Sequence, residues 1–456
     1  MRQGLLKLRF REIIFSDGFG QPISIPKVGH GFIDVRFMGR FSIPSVVKHN
    51  TLHLAASQAV FRCVAQTTSV VAPLVVYALT GSVMLSGLVT SVIYGGRVLI
   101  VYQTGKLMDR FGRNVVLVLG IVMGSLAVLL MGWAAIFDRL ELFWVGLLVF
   151  GFGLGVTQQS RVAVMDMYPL ERRGEGLGYL MMGNVIGALL SPIFIAAIIP
   201  ITNLFILNLY GVIFLISIPL LAASSIFIMK VKPDPMEIGL DLRSYYPHLE
   251  LAGGNGRIQD NSMVHSILLF PILVAFVVSS LAWGEMSIMT SLLPLVLHHY
   301  DVVLTLISLS VTLHTVGMFV FSVPFGRLSD QIGRKWVLVL GCLLLGIGAF
   351  LTPIAANYAI ITLGVILLGL GWSATNVATS AIISDLTRPE RRGQMLGAND
   401  VATGLASLSL PILGGAVMAN LGLFALGILG STIALLALLI SLPLREVSLG
   451  KYVDSK

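Results

Sequence analysis

The chain has 456 residues, 56% of them apolar and only 11% charged, with a mean hydropathy of +0.91. Soluble globular proteins carry about 25% charged residues, so this composition excludes that class and leaves room for a dozen membrane spans of about 20 residues each. A formal charge of +8 would suit nucleic acid, yet the bases fall between apolar segments and form no basic, aromatic-interleaved face, which excludes that partner.

Residues 1–51 read as a basic cytoplasmic extension. They begin Leu5-Leu6-Lys7-Leu8-Arg9-Phe10-Arg11 and hold no uninterrupted apolar core, so no cleaved signal is expected. Either this segment lies on the membrane surface or translation begins at Met38.

Apolar runs then predict helices over 52–79, 83–105, 114–137, 141–165, 175–200 and 204–229, an N-terminal bundle spanning 52–229. Residues 230–263 contain Pro233, Pro235, Pro247 and Gly253-Gly254-Asn255-Gly256 and read as a cytoplasmic linker. Apolar runs resume at 264–297, 303–325, 336–356, 359–384, 394–419 and 421–443, a C-terminal bundle spanning 264–445, and 446–456 is a cytoplasmic tail. The predicted fold class is an all-α membrane protein with twelve transmembrane helices in two six-helix bundles.

Two short charged loops mark the two halves as copies. Gly105-Lys-Leu-Met-Asp109-Arg110-Phe-Gly112-Arg113 is matched by Gly326-Arg-Leu-Ser-Asp330-Gln-Ile-Gly333-Arg334, and Glu171-Arg172-Arg173-Gly174 by Glu390-Arg391-Arg392-Gly393 at nearly the same offset. Repetition of loops inside an apolar chain is the mark of a duplicated bundle. Gly112 and Gly333 supply permissive backbone for the tight turn, and Asp109 and Asp330 stand where a carboxylate can serve a helix end. Lys and Arg set the orientation: Arg62, Arg97 and Arg161 fall within spans, Arg139 alone lies on an outer loop, and all the others lie on inner segments. Both termini are therefore expected in the cytoplasm.

With these loops the chain resembles the major facilitator superfamily over residues 50–445. The resemblance implies two pseudo-symmetric bundles around a central cavity and alternating access by rocking. It also implies that Asp109, Arg113 and Asp166 form a charge cluster, with Asp330, Arg334 and Asp385 as its twin. Such clusters either gate the inner face or only fix topology and cap helices; their repetition in one register favours the gate. The Gly151-Phe-Gly153-Leu-Gly155 span lacks the arginine of drug antiporters, and Gly183-x-x-x-Gly187-x-x-x-Ser191-Pro192 is a loose version of their glycine-proline element. These glycines suit helix packing.

Polar residues at membrane depth are functional candidates by default. Gln58, Arg62 and Gln66 repeat every four residues along one helical face. With Arg97, Asn184, His314, Asn376 and Asn399 they make up the candidate substrate site. Glu285 and Asp400 are the candidate proton carriers, although Asp400 also suits a bond to an inner-loop arginine and His314 a packing role. The buried arginines either hold an anion or pair with Glu285 or Asp400 across the cavity. Cys63 and Cys342 read as packing residues.

No G-x-x-x-x-G-K-[ST] loop, metal-ligand spacing or nucleophile elbow occurs, so no cofactor, metal or enzymatic activity is expected. The first functional reading is a monomeric secondary transporter in the cytoplasmic membrane. It would perform proton-coupled efflux or exchange of an organic, drug-like solute, with only the bilayer, the solute and protons as partners. The second is transport of a small organic anion through an arginine-lined cavity. The third is a sensor of transporter fold without flux.

Overall fold

A computed structural model describes residues 43–169, 172–205, 208–247, 262–387 and 392–444. The N-terminal extension up to residue 42, Glu171, Glu390, Arg391 and the tail predicted from 446 lie outside the described residues. In chain order the helices are α1 (Ser45–Thr80), α2 (Val83–Phe111), α3 (Arg113–Ile136), α4 (Leu140–Thr157), α5 (Ser160–Met167), α6 (Arg173–Phe205) and α7 (Leu209–Met229). Two short helices follow, α8 (Pro235–Leu240) and α9 (Leu242–Tyr245). Then come α10 (Ser262–His299), α11 (Leu304–Val320), α12 (Ser322–Ile332), α13 (Arg334–Ile354), α14 (Tyr358–Leu386) and α15 (Arg392–Ser441).

Ten of these helices, α4 and α5 counting as one, are long and apolar enough to cross a membrane, and α11 with α12 makes a further span bent by 41°. The bend falls where Pro324 stands near the start of α12, because proline has no N–H for the preceding turn and crowds its carbonyl. Long α15 is itself two helices, divided at Gly422 by a left-handed φ of 83° that glycine adopts without a Cβ clash. Counting its two parts separately gives the twelve spans of the predicted fold.

Local chemistry sets the turns. Gly81 ends α1 with φ 65°, and its N–H bonds Tyr77 O at 2.8 Å. Side chains of Ser82, Asn208 and Asn357 cap α2, α7 and α14 by accepting from backbone N–H groups. Helix α1 begins just after Pro44, so it takes in residues 45–51 that the hydropathy pattern leaves in the extension.

The two lobes repeat one packing plan. In the first, α1 packs on α6 and α3 on α4; in the second, α10 packs on α15 and α13 on α14. Gly183 and Gly187 bring α6 so close to α1 that a Cβ at either would strike the Ala55 or Ala59 carbonyl, the packing use expected of them. Between lobes, α2 meets α15 and α6 meets α11.

The junction is sealed at the end opposite the repeated charged loops. There Val70, Leu74 and Ile195 share one buried cluster with Leu293, Leu297 and Ile307. The Ser191 hydroxyl bonds those of Thr67 (2.9 Å) and Ser308 (3.1 Å), and Thr312 donates to Ala188 O at 2.9 Å.

Candidate substrate site and gate

The lobe junction holds a buried polar cluster at mid-length. Arg62 donates from Nη2 to Gln66 Oε1 at 3.1 Å, one helical turn along α1. From the other lobe, Thr315 reaches the same Oε1 at 3.4 Å. His314 lies within electrostatic reach of Arg62, and its Nδ1 contacts Val365 O at 2.9 Å. Since a carbonyl only accepts, Nδ1 carries the hydrogen, and Nε2 becomes a donor only when the ring is protonated.

Three nitrogens of this cluster are buried without a partner: Arg62 Nε, Gln66 Nε2 and His314 Nε2. An unsatisfied buried polar atom costs roughly 1–3 kcal/mol, and a charged one costs more. Among the described residues no carboxylate offsets the Arg62 charge; the group it feels is Tyr94 of α2. Arg97, three residues on, lies 5.6 Å from the Tyr94 ring centre and within electrostatic reach of Arg161 and Asp400. Tyr94 and Thr315 escape a search restricted to charges and amides. Their signals are the Tyr94-x-x-Arg97 spacing on one helical face and adjacency to His314.

The other candidates stand apart. Gln58 donates to Thr157 O (2.6 Å) and Ser160 Oγ (2.9 Å), bridging the α4–α5 break inside its own lobe. Asn399 accepts from Ser279 at 2.6 Å, pinning α15 to α10. Asn184 is partly buried and makes a weak contact to Met181 Sδ at 3.7 Å, and Asn376 is partly buried on α14. Glu285 is fully buried beside Cys342, with neither carboxylate oxygen bonded. Asp400 is half-exposed and pairs with Arg161 of the other lobe at 3.4 Å.

Both charged loops form their clusters. Arg113 donates to Asp109 and to Asp166, each at 2.8 Å. Arg334 bonds Asp385 at 3.1 Å and also pairs with Asp330. Gly112 and Gly333 adopt φ of 86° and 97°, while Gly105 and Gly326 face open space. Arg110 lies over the Phe111 ring at 5.2 Å.

One local expectation needs correcting. Asp109 sits at the C-terminal end of α2, where it accepts from the Arg113 side chain. The carboxylate that serves α3's free N–H groups belongs to Asp234 in the linker, which accepts from Arg113 N (3.1 Å) and Asn114 N (2.9 Å). The pattern Asp234-Pro235-x-Glu237 signals only that Asp234 starts α8, whose Met236 N it also accepts from.

Among the described residues no cluster of His, Cys, Asp or Glu suits a metal ion, and both cysteines are free and buried. Two matched helical lobes around a shared buried polar cluster define a multi-pass membrane transporter, which moves a small molecule and is not an enzyme. The chain belongs to the Major Facilitator Superfamily, whose sequence model matches residues 54–302 and 272–453. It is 25% identical over 360 residues to the uncharacterized MFS-type transporter YddS of Bacillus subtilis, covering 78% of this chain and 81% of that one. A 99-residue stretch, 21% of this chain and 19% of the other, is 37% identical to probable anion transporter 3, chloroplastic, of Arabidopsis thaliana. The crystal structure of the nucleoside transporter NupG superposes with a TM-score of 0.63 at 14% identity, covering 86% of this chain and 97% of that one.

Proposed function

We propose that this transporter carries a small organic anion by alternating access, coupled to protons. The observation that carries the reading is the set of unpartnered nitrogens on Arg62, Gln66 and His314 at the lobe junction, where no acid among the described residues neutralises the guanidinium. A carboxylate or phosphate ester supplies the acceptors that Arg62 and Gln66 lack, and that His314 Nε2 lacks once its ring is protonated. A drug-like apolar solute would leave them bare, so the anion reading displaces the drug-like one. The likeness of one stretch to a probable anion transporter agrees with it.

Proton coupling follows from His314. With Nδ1–H committed to Val365 O, protonation turns Nε2 into a donor facing the same site. Anion and proton then favour one another's binding, as linkage requires. Asp400 keeps its pairing role with Arg161, and Glu285 is a second proton carrier candidate within the C-terminal lobe. The repeated clusters act as gate elements at the end they line, and the direction of flux follows the two gradients. The distribution of Lys and Arg supports a cytoplasmic membrane with both termini inside, and one chain supplies both halves of the site, as a monomer requires.

Reconstituted vesicles tested with a panel of carboxylates, phosphate esters and neutral organics decide the matter. Uptake of an anion that disappears in Arg62→Ala and Arg97→Ala is expected. Transport of neutral members with anions ignored would overturn the proposal.

A further inference from the structure

The stretch after α7 is bound to the first lobe at three places. Asn50 of α1 donates to Pro233 O (3.2 Å) and accepts from Lys232 N (3.2 Å). Asn114 of α3 donates to Val231 O at 2.8 Å. Tyr246 donates to Met167 O at 3.2 Å, and Ile238 is fully buried. At the centre, Asp234 takes three backbone N–H groups: Arg113 and Asn114 of α3, and Met236 of α8 at 2.9 Å. A Cβ at Gly112 would stand 3.0 Å from Asp234 Oδ2, and one at Gly239 would stand 3.1 Å from Asp166.

We infer that residues 230–246 are a strap that presets the first lobe's half of the gate, with Asp234 as the positioning residue for Arg113. The strap touches both the backbone of Arg113 and the helix segment bearing Asp166, so it fixes the two partners of the 2.8 Å ion pair relative to each other. The inference rests on the alternating-access reading.

The test uses the full-length purified protein with a reporter, Gly397→Cys. Gly397 lies one turn before Asp400, a side chain there meets nothing within 4 Å, and both native cysteines are buried. Alkylation by a charged maleimide reports how often this end is open. Asp234→Ala is expected to lower exchange protection of the Arg113 and Asn114 amides about tenfold, the loss of one good cap. It is also expected to speed alkylation several-fold, because the closed state loses the strap's hold on the Arg113–Asp166 pair. Asp234→Asn, which keeps the reach but only one acceptor oxygen, falls between wild type and Asp234→Ala. If Asp234→Ala does not fold, Asn50→Ala loosens the strap from α1 and carries the same comparison.

Unchanged protection, or lost protection with unchanged alkylation, reduces the strap to a structural brace and overturns the proposal. Arg113→Ala separates the two levels. If it too leaves alkylation unchanged, the gate reading has failed; if it alone shifts alkylation, only the strap has failed.

Discussion

Arg161 and Asp400 face each other across the two lobes, Nη2 to Oδ2 at 3.4 Å, at the end of the molecule that carries the charged loops. Their side chains are 42% and 50% exposed. Water screens such a pair, and its contribution to stability is about 0–1 kcal/mol. Its importance lies in where it sits, because separating the lobes at this end must break it. Arg161→Ala or Asp400→Asn is therefore expected to leave the thermal midpoint nearly unchanged while raising alkylation of the Gly397→Cys reporter. A large fall in midpoint would show that the pair holds the fold and does not latch the end.

The two acids around Arg113 differ in exposure, and that orders their mutational effects. Asp166 is 25% exposed and Asp109 71%, at the same 2.8 Å distance. A charge-assisted bond in a screened corner is worth roughly 1.5–3 kcal/mol, and a solvated i, i+4 pair about 0.3–0.5 kcal/mol. Asp166→Asn should thus destabilise the protein clearly more than Asp109→Asn in parallel melts. Asp109→Asn should slow transport with only modest loss of expression. Equal destabilisation by the two would contradict this assignment.

Much of this is readable before any coordinates. The copied Gly105–Arg113 and Gly326–Arg334 loops announce the duplication, and periodic apolar runs locate each span, although α1 starts at Ser45 and α12 runs on to Ile332, both beyond the predicted bounds. What stays hidden is pairing at a distance. Gln58, Arg62 and Gln66 share a face by spacing, yet Gln58 is claimed by Thr157 and Ser160 from a part of the chain no local pattern connects to it. The linker reads as loose from its prolines, but its three anchors lie on α1, α3 and the α5 end, each remote in sequence. Span eight reads as continuous because hydropathy does not register the backbone cost of Pro324.

Gly105 and Gly326 are fixed points of the repeated loops, yet a side chain at either would meet nothing within 4 Å. Steric need in this conformation does not explain them. It is explained if another segment approaches them when the charged end closes further than the half-exposed Arg161–Asp400 pair draws it here. Gly105→Ala should then be harmless or slightly stabilising, since alanine is favoured over glycine in a helix by about 1 kcal/mol. Gly105→Phe should leave the midpoint intact while stopping flux and holding the Gly397→Cys reporter accessible. Normal transport by the Phe variant would remove the close approach.

His314 and Glu285 compete for the coupling proton, and their surroundings predict different outcomes. His314 shares the lobe junction with Arg62, so its protonation state is felt by whatever binds there. Glu285 is enclosed in the second lobe with neither oxygen bonded. A charge there would be uncompensated, so neutral replacement should cost nothing in stability. Glu285→Gln is expected to melt at or above the wild-type midpoint and to keep the pH dependence of anion uptake. His314→Gln is expected to flatten that dependence while retaining some binding, because Arg62 still holds the anion. The reverse pattern, with pH dependence lost in Glu285→Gln and kept in His314→Gln, would move the proton site into the second lobe. Coupling would then have to pass through helix packing and not through the bound solute.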